Sequence, residues 1–403
     1  MTKRAKREIS LFQCILTISG VQVGFGVLTL SREVAQGANT DGWMSIIIGC
    51  VITTLVSLCI VKIMEKHPGY TLLDVLTRYL GKWLGRIGMI FWILYAVLAA
   101  VSLVFSLLYV IHIWILPRSP MFLIMILLSI PMLMLACKGV LIISRFAVFT
   151  VIFTLWMPLL LFIPLKDGHW IYLLPFLKEG WIPVVTTVKS TIIAFLGFEF
   201  AFVLYPYLTN KPAAKKGIII ANMITLCVYL QVTFVSFVYF SPDGITKFLW
   251  PTLSLVTPFH FSFLERFEII FLSFYLFIIF DSCIPYIFTA SDVNQSISYQ
   301  KRESITCLDF IIRMHFRSIL LYPFLLPNKC VARILGNCQL FYRFSIPSRI
   351  SLIHDTLSAL EKEKNLNEAL YSFHYTLLSH NLINRLWRSA RLRTIIHFIN
   401  LRF

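Results

Sequence analysis

The stretch Gly20-Val-Gln-Val-Gly24-Phe-Gly26 lies inside the first long apolar segment of the chain, residues 12–30. Three glycines in so short a stretch weaken a helix, which is therefore predicted to break there. In lipid, a broken helix leaves backbone N–H and C=O groups without partners, so such a break is stable only where it is buried in protein or lines a polar cavity. The stretch therefore predicts a broken membrane helix with a candidate ligand site at the break.

The composition supports a membrane location. The chain has 403 residues, of which 58% are hydrophobic, and its mean hydropathy of +0.80 is far above that of a soluble domain. No secretory signal with a small-residue cleavage site is present, so the first apolar stretch is interpreted as a retained helix. The nine cysteines are scattered without a C-x-x-C pair, and they predict neither a disulfide framework nor a metal site.

A window of about 20 apolar residues per span predicts an all-α polytopic membrane domain over residues 1–290. Its eight predicted spans are 12–30, 43–64, 87–116, 119–136, 143–165, 184–206, 217–240 and 267–289. Fourteen Lys and Arg residues lie in the N-terminus and in alternate connections, whereas the intervening connections hold six. Since basic loops stay in the cytoplasm, the N-terminus is predicted to be cytoplasmic. The net charge of +17 is then largely a topology signal, and no nucleic-acid partner is predicted.

The sixth predicted span contains a second break signal, the sequence Phe195-Leu-Gly197-Phe-Glu199. Phe198 follows Phe25 by 173 residues, which is the length of one five-helix half. Two halves of five helices have opposite membrane orientations and form an inverted repeat, as in many secondary transporters. The sequence therefore predicts that the first and sixth spans are both broken and meet near the midplane.

The candidate ligand site combines residues of both breaks. Gly24 and Gly26 can free backbone N–H groups for a carboxylate, although close helix packing of Gly20 and Gly24 is the alternative. Glu199 can hold a ligand ammonium or carry a proton, and a structural, protonated carboxyl is the alternative. The predicted ligand-binding residues are Gly24, Phe25, Gly26, Phe195, Gly197, Phe198 and Glu199, with Tyr95, Ser102 and Asp281 as secondary candidates.

Several short motifs in a fixed order carry a family resemblance. They include Gly24-Phe-Gly-Val-Leu28, Arg32-Glu-Val-Ala35, Asp41-Gly-Trp43, His67-Pro-Gly69, Gly81-Lys-Trp-Leu-Gly85, Phe195-Leu-Gly-Phe-Glu199 and Leu264-Glu-Arg-Phe-Glu268. This set resembles the B subunit of bacterial spore nutrient germinant receptors, in the amino acid-polyamine-organocation superfamily. The resemblance implies a LeuT-like inverted-repeat bundle with broken helices 1 and 6. It also implies a place in the spore inner membrane or cell membrane, an A subunit and a C-subunit lipoprotein as partners, and a small nutrient, such as an amino acid, as ligand.

Residues 291–403 form an atypical basic tail that departs from this resemblance. Within 306–326 lie Asp309, Arg313 and Arg317, and each charge costs about 2.5–3.5 kcal/mol at a helix centre. The last two helices of the bundle are therefore expected to be missing or degenerate. Two interpretations stay open: a membrane-surface segment around Leu386–Arg393 that binds anionic lipid, or the product of a shifted reading frame.

No sequence motif predicts catalysis. A phosphate loop, a nucleophile elbow and zinc-ligand spacing are not found, so neither an enzyme nor a cofactor is predicted. Two functions remain. The first is a receptor subunit that senses a nutrient in a transporter-like pocket and triggers spore germination with its partners. The second is a secondary transporter that moves an amino acid or similar solute with H⁺ or Na⁺.

Overall fold

A computed structural model of the protein describes residues 8–174, 177–259 and 266–297. These residues form helices joined by short connections. The helices are α1 (Leu11–Val23), α2 (Gly26–Ala38), α3 (Gly42–Glu65), α4 (Leu72–Trp114), α5 (Met121–Ala136), α6 (Val140–Thr154), α7 (Trp156–Leu160), α8 (Trp181–Ala194), α9 (Ala201–Leu204), α10 (Ala214–Phe240), α11 (Pro242–Ile245), α12 (Pro251–Val256) and α13 (Phe267–Ile297). The predictions for residues 306–326 and for Leu386–Arg393 concern parts of the chain outside these ranges.

The expected all-helical membrane architecture is confirmed for the described residues. Five helical segments are long and apolar enough to cross a membrane, and the bent pair Trp181–Ala194 with Phe198–Tyr207 makes a sixth. The two other predicted spans contain α1 and α5, which have 13 and 16 residues. Both helices are shorter than the about 20 residues that cross a bilayer. The count of eight spans therefore stays a prediction.

The first predicted span is interrupted where its glycines indicate. α1 begins with a capping box, in which the Ser10 hydroxyl accepts a hydrogen bond from the Gln13 N–H at 3.2 Å and the Ser10 N–H donates to Gln13 Oε1 at 2.9 Å. The helix ends at Val23, and α2 begins at Gly26. The predicted break is thus confirmed at Gly24 and Phe25. α2 continues through a 3-10 turn, Asn39–Asp41, into α3.

The long helix α4 is also interrupted by a glycine. Its 43 residues correspond to about 65 Å at 1.5 Å per residue, roughly twice the about 30 Å hydrocarbon core of a bilayer. Gly81, with φ of 82° and ψ of 168°, leaves the helical conformation and divides α4. The predicted span 87–116 begins after this kink, so the glycine separates residues 72–80 of α4 from the section that contains the predicted span.

The broken pair α1 and α2 lies among the other described helices. α1 contacts α6, α10 and α13, and α2 contacts α3, α8 and α10. Ile9, two residues before α1, is hydrogen-bonded to the end of the bent pair. The Ile9 N–H donates to the Tyr207 carbonyl at 2.9 Å, and the Thr209 N–H donates to the Ile9 carbonyl at 3.1 Å. These hydrogen bonds hold the start of α1 against the segment between α9 and α10.

Candidate functional site

The second break begins where α8 ends at Ala194. Gly197 has a φ of 122°, a conformation that residues with a Cβ rarely adopt, and the pair of helices is bent by 47° here. A Cβ added at Gly197 would lie 2.8 Å from Val21 Cγ1 and 3.1 Å from the Gln22 nitrogen. The second break is therefore in direct contact with the last turn of α1, and only a glycine fits this approach.

Tyr229 on α10 connects the two breaks. Its hydroxyl lies 2.6 Å from the Gln22 carbonyl oxygen and 2.8 Å from the Ala194 carbonyl oxygen. Both carbonyls belong to the last turns of helices, where they have no partner further along the helix. A hydroxyl has one proton to donate, so the two carbonyls share a single donor. The Tyr229 ring is buried and packs edge-on against Phe195, with ring centroids 5.3 Å apart.

Helix α13 supplies two more hydroxyl groups to the end of α1. The Ser282 hydroxyl donates to the Gly20 carbonyl at 2.9 Å, and the Tyr275 hydroxyl donates to the Gly24 carbonyl at 2.5 Å. The approach is close, since a Cβ added at Gly24 would lie 2.6 Å from Ser282 Oγ. The carbonyl groups that the first break frees are thus bound by side chains from α10 and α13, as the burial of a broken membrane helix requires.

The carboxyl group of Glu199 joins the second break to α4 and α13. Glu199 is 7% exposed. Its Oε1 accepts hydrogen bonds from the Tyr95 hydroxyl at 2.6 Å and the Tyr286 hydroxyl at 3.1 Å, and its Oε2 accepts one from the Gly197 N–H at 2.7 Å. One carboxyl group therefore anchors the turn at Gly197 to two neighbouring helices.

The predicted site residues do not all lie in this cluster. Phe25 and Phe198 are half-buried at the two breaks, and Phe195 is fully buried. The secondary candidate Ser102 is exposed on α4 and is not one of the side chains that bind the breaks. Asp281 precedes Ser282 and is 1% exposed.

Sequence reasoning did not select Gln22, Tyr229, Tyr275, Ser282 or Tyr286. A signal was available for Gln22, because a polar side chain deep in an apolar span marks function or a helix contact. Gln22 takes part in a buried network, donating to Asn222 Oδ1 at 2.8 Å and accepting from the Thr225 hydroxyl at 2.7 Å. The tyrosines gave a weaker signal, since tyrosine is also common at membrane interfaces.

Hydroxyl groups occupy the carbonyls at the breaks, and a cavity lies away from them. It has a volume of about 520 Å³ between the end of α3 and the first section of α4, with Lys62 and Lys66 in its lining, and no residue of either break lines it. Within the described ranges, no group of three or more His, Cys, Asp or Glu residues is placed to hold a metal ion.

Replacing Tyr229 with phenylalanine is expected to destabilise the contact between the breaks. The change removes the shared donor from the Gln22 and Ala194 carbonyls, and a buried polar group without a partner costs about 1–3 kcal/mol. Thermal unfolding of the purified protein in detergent should show a lower midpoint. Tyr239→Phe is the matched control on the same helix, because the Tyr239 ring packs on Phe240 and its hydroxyl does not bind a break. Equal midpoints for the two variants would contradict the bridging role of Tyr229.

Comparison with known proteins gives matches over most of the chain. A family model described as spore germination protein matches residues 8–322, which extends past residue 290, where the composition changes. Spore germination protein YndE of Bacillus subtilis (strain 168) is 27% identical over 308 residues, covering 75% of this chain and 84% of the relative. Spore germination protein A2 of the same organism is 24% identical over 315 residues, covering 77% of this chain and 86% of the relative. Spore germination protein GerQB of Bacillus cereus is 23% identical over 272 residues, covering 68% of this chain and 75% of the relative.

Proposed function

Because this chain belongs to the spore germination protein family, we propose that it is the membrane subunit of a nutrient receptor whose ligand binds at the two helix breaks. The observation that carries the proposal is the convergence of the Gln22 and Ala194 carbonyls on the single proton of Tyr229. An ammonium group has three donors, so it can serve both carbonyls at once, which the hydroxyl cannot. A ligand with an ammonium group therefore fits this position in place of the tyrosine hydroxyl.

The start of α2 is proposed to bind the other end of the same ligand. Phe25, the N-cap residue of α2, provides no side-chain hydrogen bond to the first turn. The N–H groups at a helix N-terminus attract carboxylates, through hydrogen bonding and the helix dipole. An amino acid matches both ends of the break, with its ammonium at the carbonyl end of α1 and its carboxylate at the N–H end of α2. The phenyl rings of Phe25, Phe195 and Phe198 are proposed to form the apolar walls.

Glu199 is proposed to position the second break and not to bind the ligand ammonium directly. All three of its hydrogen bonds go to protein donors, two tyrosine hydroxyls and the Gly197 N–H. Binding at the breaks would shift Gly197 against Gln22, and Glu199 would pass this shift to α4 and α13. No step of this proposal involves catalysis.

The LeuT-like five-plus-five inverted repeat, the cytoplasmic N-terminus and the A and C partner subunits remain part of the proposal. The repeat is supported by the contact between two breaks whose sequences lie 173 residues apart. Partner subunits suit a protein that senses its ligand at a closed, buried site, because occupancy must then be passed to other proteins to start germination.

Spores that lack this chain provide the test. They are expected to lose germination with at least one single amino acid and to regain it when the wild-type chain is restored, while other nutrients still act. Proteoliposomes with the purified chain are expected to bind that amino acid without accumulating it. Accumulation driven by an H⁺ or Na⁺ gradient would instead assign the chain to secondary transport.

A further inference from the structure

Asp281 on α13 is a buried carboxyl group that the helix breaks do not use. It is 1% exposed, and neither of its oxygens has a hydrogen-bond partner among the described residues. The carboxyl group lies directly against α1, since a Cβ added at Gly20 would overlap Asp281 Oδ2. The next residue, Ser282, binds the Gly20 carbonyl at 2.9 Å. The unpartnered carboxyl therefore lies at a close approach of α13 to α1.

The helices that pack against α13 place few charged groups near Asp281. These helices are α1, α4, α5, α6 and α12. α1, α5 and α12 contain no charged residue, and the one charged residue of α6, Arg145, is exposed. On α4 the acidic and basic residues all precede residue 87. The other titratable groups of the membrane parts of these helices and of α13 are Cys14, Tyr95, Tyr109, His112, Glu268, Tyr275, Cys283 and Tyr286. Of these, Glu268 lies in the first turn of α13 and is paired with Arg266 at 2.9 Å.

An ionised Asp281 would be costly for two reasons. A buried carboxylate without hydrogen bonds or a countercharge costs several kcal/mol or more. In addition, Gly20 lies in the last turn of α1, and the carbonyl end of a helix carries a partial negative charge equivalent to about half an electron. A carboxylate facing this end is repelled, whereas a neutral carboxyl group is not.

We propose that Asp281 is a proton-binding site that controls the contact between α1 and α13. With its proton bound, the neutral carboxyl group lets α1 pack closely at Gly20. When the proton leaves, the carboxylate is repelled by the carbonyl end of α1, and the two helices separate until water reaches the charge. This site is distinct from the nutrient site and holds whether the chain acts as a receptor or as a transporter.

Infrared spectroscopy of the purified full-length protein in lipid nanodiscs tests the proposal. A protonated carboxyl group has a C=O stretching band separate from the amide bands. The difference spectrum of wild type minus Asp281→Asn at neutral pH is expected to contain this band. Asp41→Asn is the matched control, because Asp41 is also a buried aspartate but accepts a hydrogen bond from the Leu177 N–H at 2.9 Å. The Asp281 band should persist in that variant.

A pH titration of the wild-type protein gives a second measurement that needs no variant. As the pH rises, the band should disappear and the thermal midpoint should fall together, since the closely packed state binds the proton. Asp281→Asn keeps a neutral side chain of the same shape, so it should fold and its midpoint should lose this pH dependence. A missing band, an Asn variant that fails to fold, or equal pH dependence in both proteins would overturn the proposal. A Na⁺-dependent midpoint that Asp281→Asn abolishes would also overturn it and assign a sodium ion to the site.

Discussion

Spores that carry Gly26→Val in this chain should respond to the nutrient only at roughly 5- to 150-fold higher concentration than wild-type spores, the range that corresponds to about 1–3 kcal/mol. A Cβ at Gly26 would lie 2.5 Å from the Tyr229 hydroxyl oxygen, and overpacking of this kind costs about 1–3 kcal/mol. The branched side chain would push the Tyr229 hydroxyl from the Gln22 and Ala194 carbonyls and fill the proposed ligand space at the start of α2. Germination measured against nutrient concentration gives the shift.

Two further variants make this result specific. Gly24→Val should act in the same direction, because a Cβ there would lie 2.6 Å from Ser282 Oγ. Gly69→Val is the matched control, since nothing lies within 4 Å of a Cβ at Gly69, and it should respond like wild type. Immunoblots of spore membranes must show equal amounts of each protein. An unchanged dose response for Gly26→Val at wild-type abundance would exclude the first break as the ligand site.

Glu199→Gln should lower both the thermal stability of the protein and its response to nutrient. The Glu199 carboxyl group accepts three hydrogen bonds, whereas glutamine has one acceptor oxygen and a donor NH₂ group in its place. At least one buried donor then loses its acceptor, and a buried polar group without a partner costs about 1–3 kcal/mol. Thermal unfolding in detergent and the germination dose response both measure the loss.

The control for this change is Glu179→Gln, because Glu179 is exposed and binds Asn39 Nδ2 at the surface. A double-mutant cycle of Glu199→Gln with Tyr95→Phe then isolates the coupling between the two side chains. The structure predicts strong coupling, since the Tyr95 hydroxyl lies 2.6 Å from Glu199 Oε1. If the two effects were additive, or if Glu199→Gln behaved like Glu179→Gln, Glu199 would not anchor the second break.

The breaks could be predicted from the sequence because they follow from local backbone chemistry. Glycines at positions 24, 26 and 197 weaken a helix whatever surrounds them, and the structure interrupts both helices at these positions. The closing side chains could not be predicted, since Tyr229 and Tyr275 reach the first break from helices more than 200 residues further along the chain. Which helices become neighbours is a property of the packed bundle.

The secondary site candidates on α4 were predicted less well than the helix breaks. The secondary candidates Tyr95 and Ser102 are seven residues apart and so lie on one face of the helix, yet Tyr95 reaches Glu199 and Ser102 is exposed. A helical turn of 3.6 residues rotates a seven-residue repeat slowly around the helix, and the neighbouring helix covers only part of that face. Residue spacing indicates which face of a helix a side chain lies on, but it does not indicate how much of that face the neighbouring helices cover.

Because Ile9 is hydrogen-bonded to Tyr207 and Thr209, a movement of α1 at the break also moves the chain at its other end. The helix has 13 residues, or about 20 Å of rigid rod at 1.5 Å per residue. One end of α1 lies at the break at Gly24 and Phe25, and the residue Ile9 near the other end is hydrogen-bonded to the chain segment before α10. A tilt of this rod must carry Tyr207 and Thr209 with it or break two backbone hydrogen bonds. A displacement at the break would thereby move residues 207–209, about 20 Å away along α1.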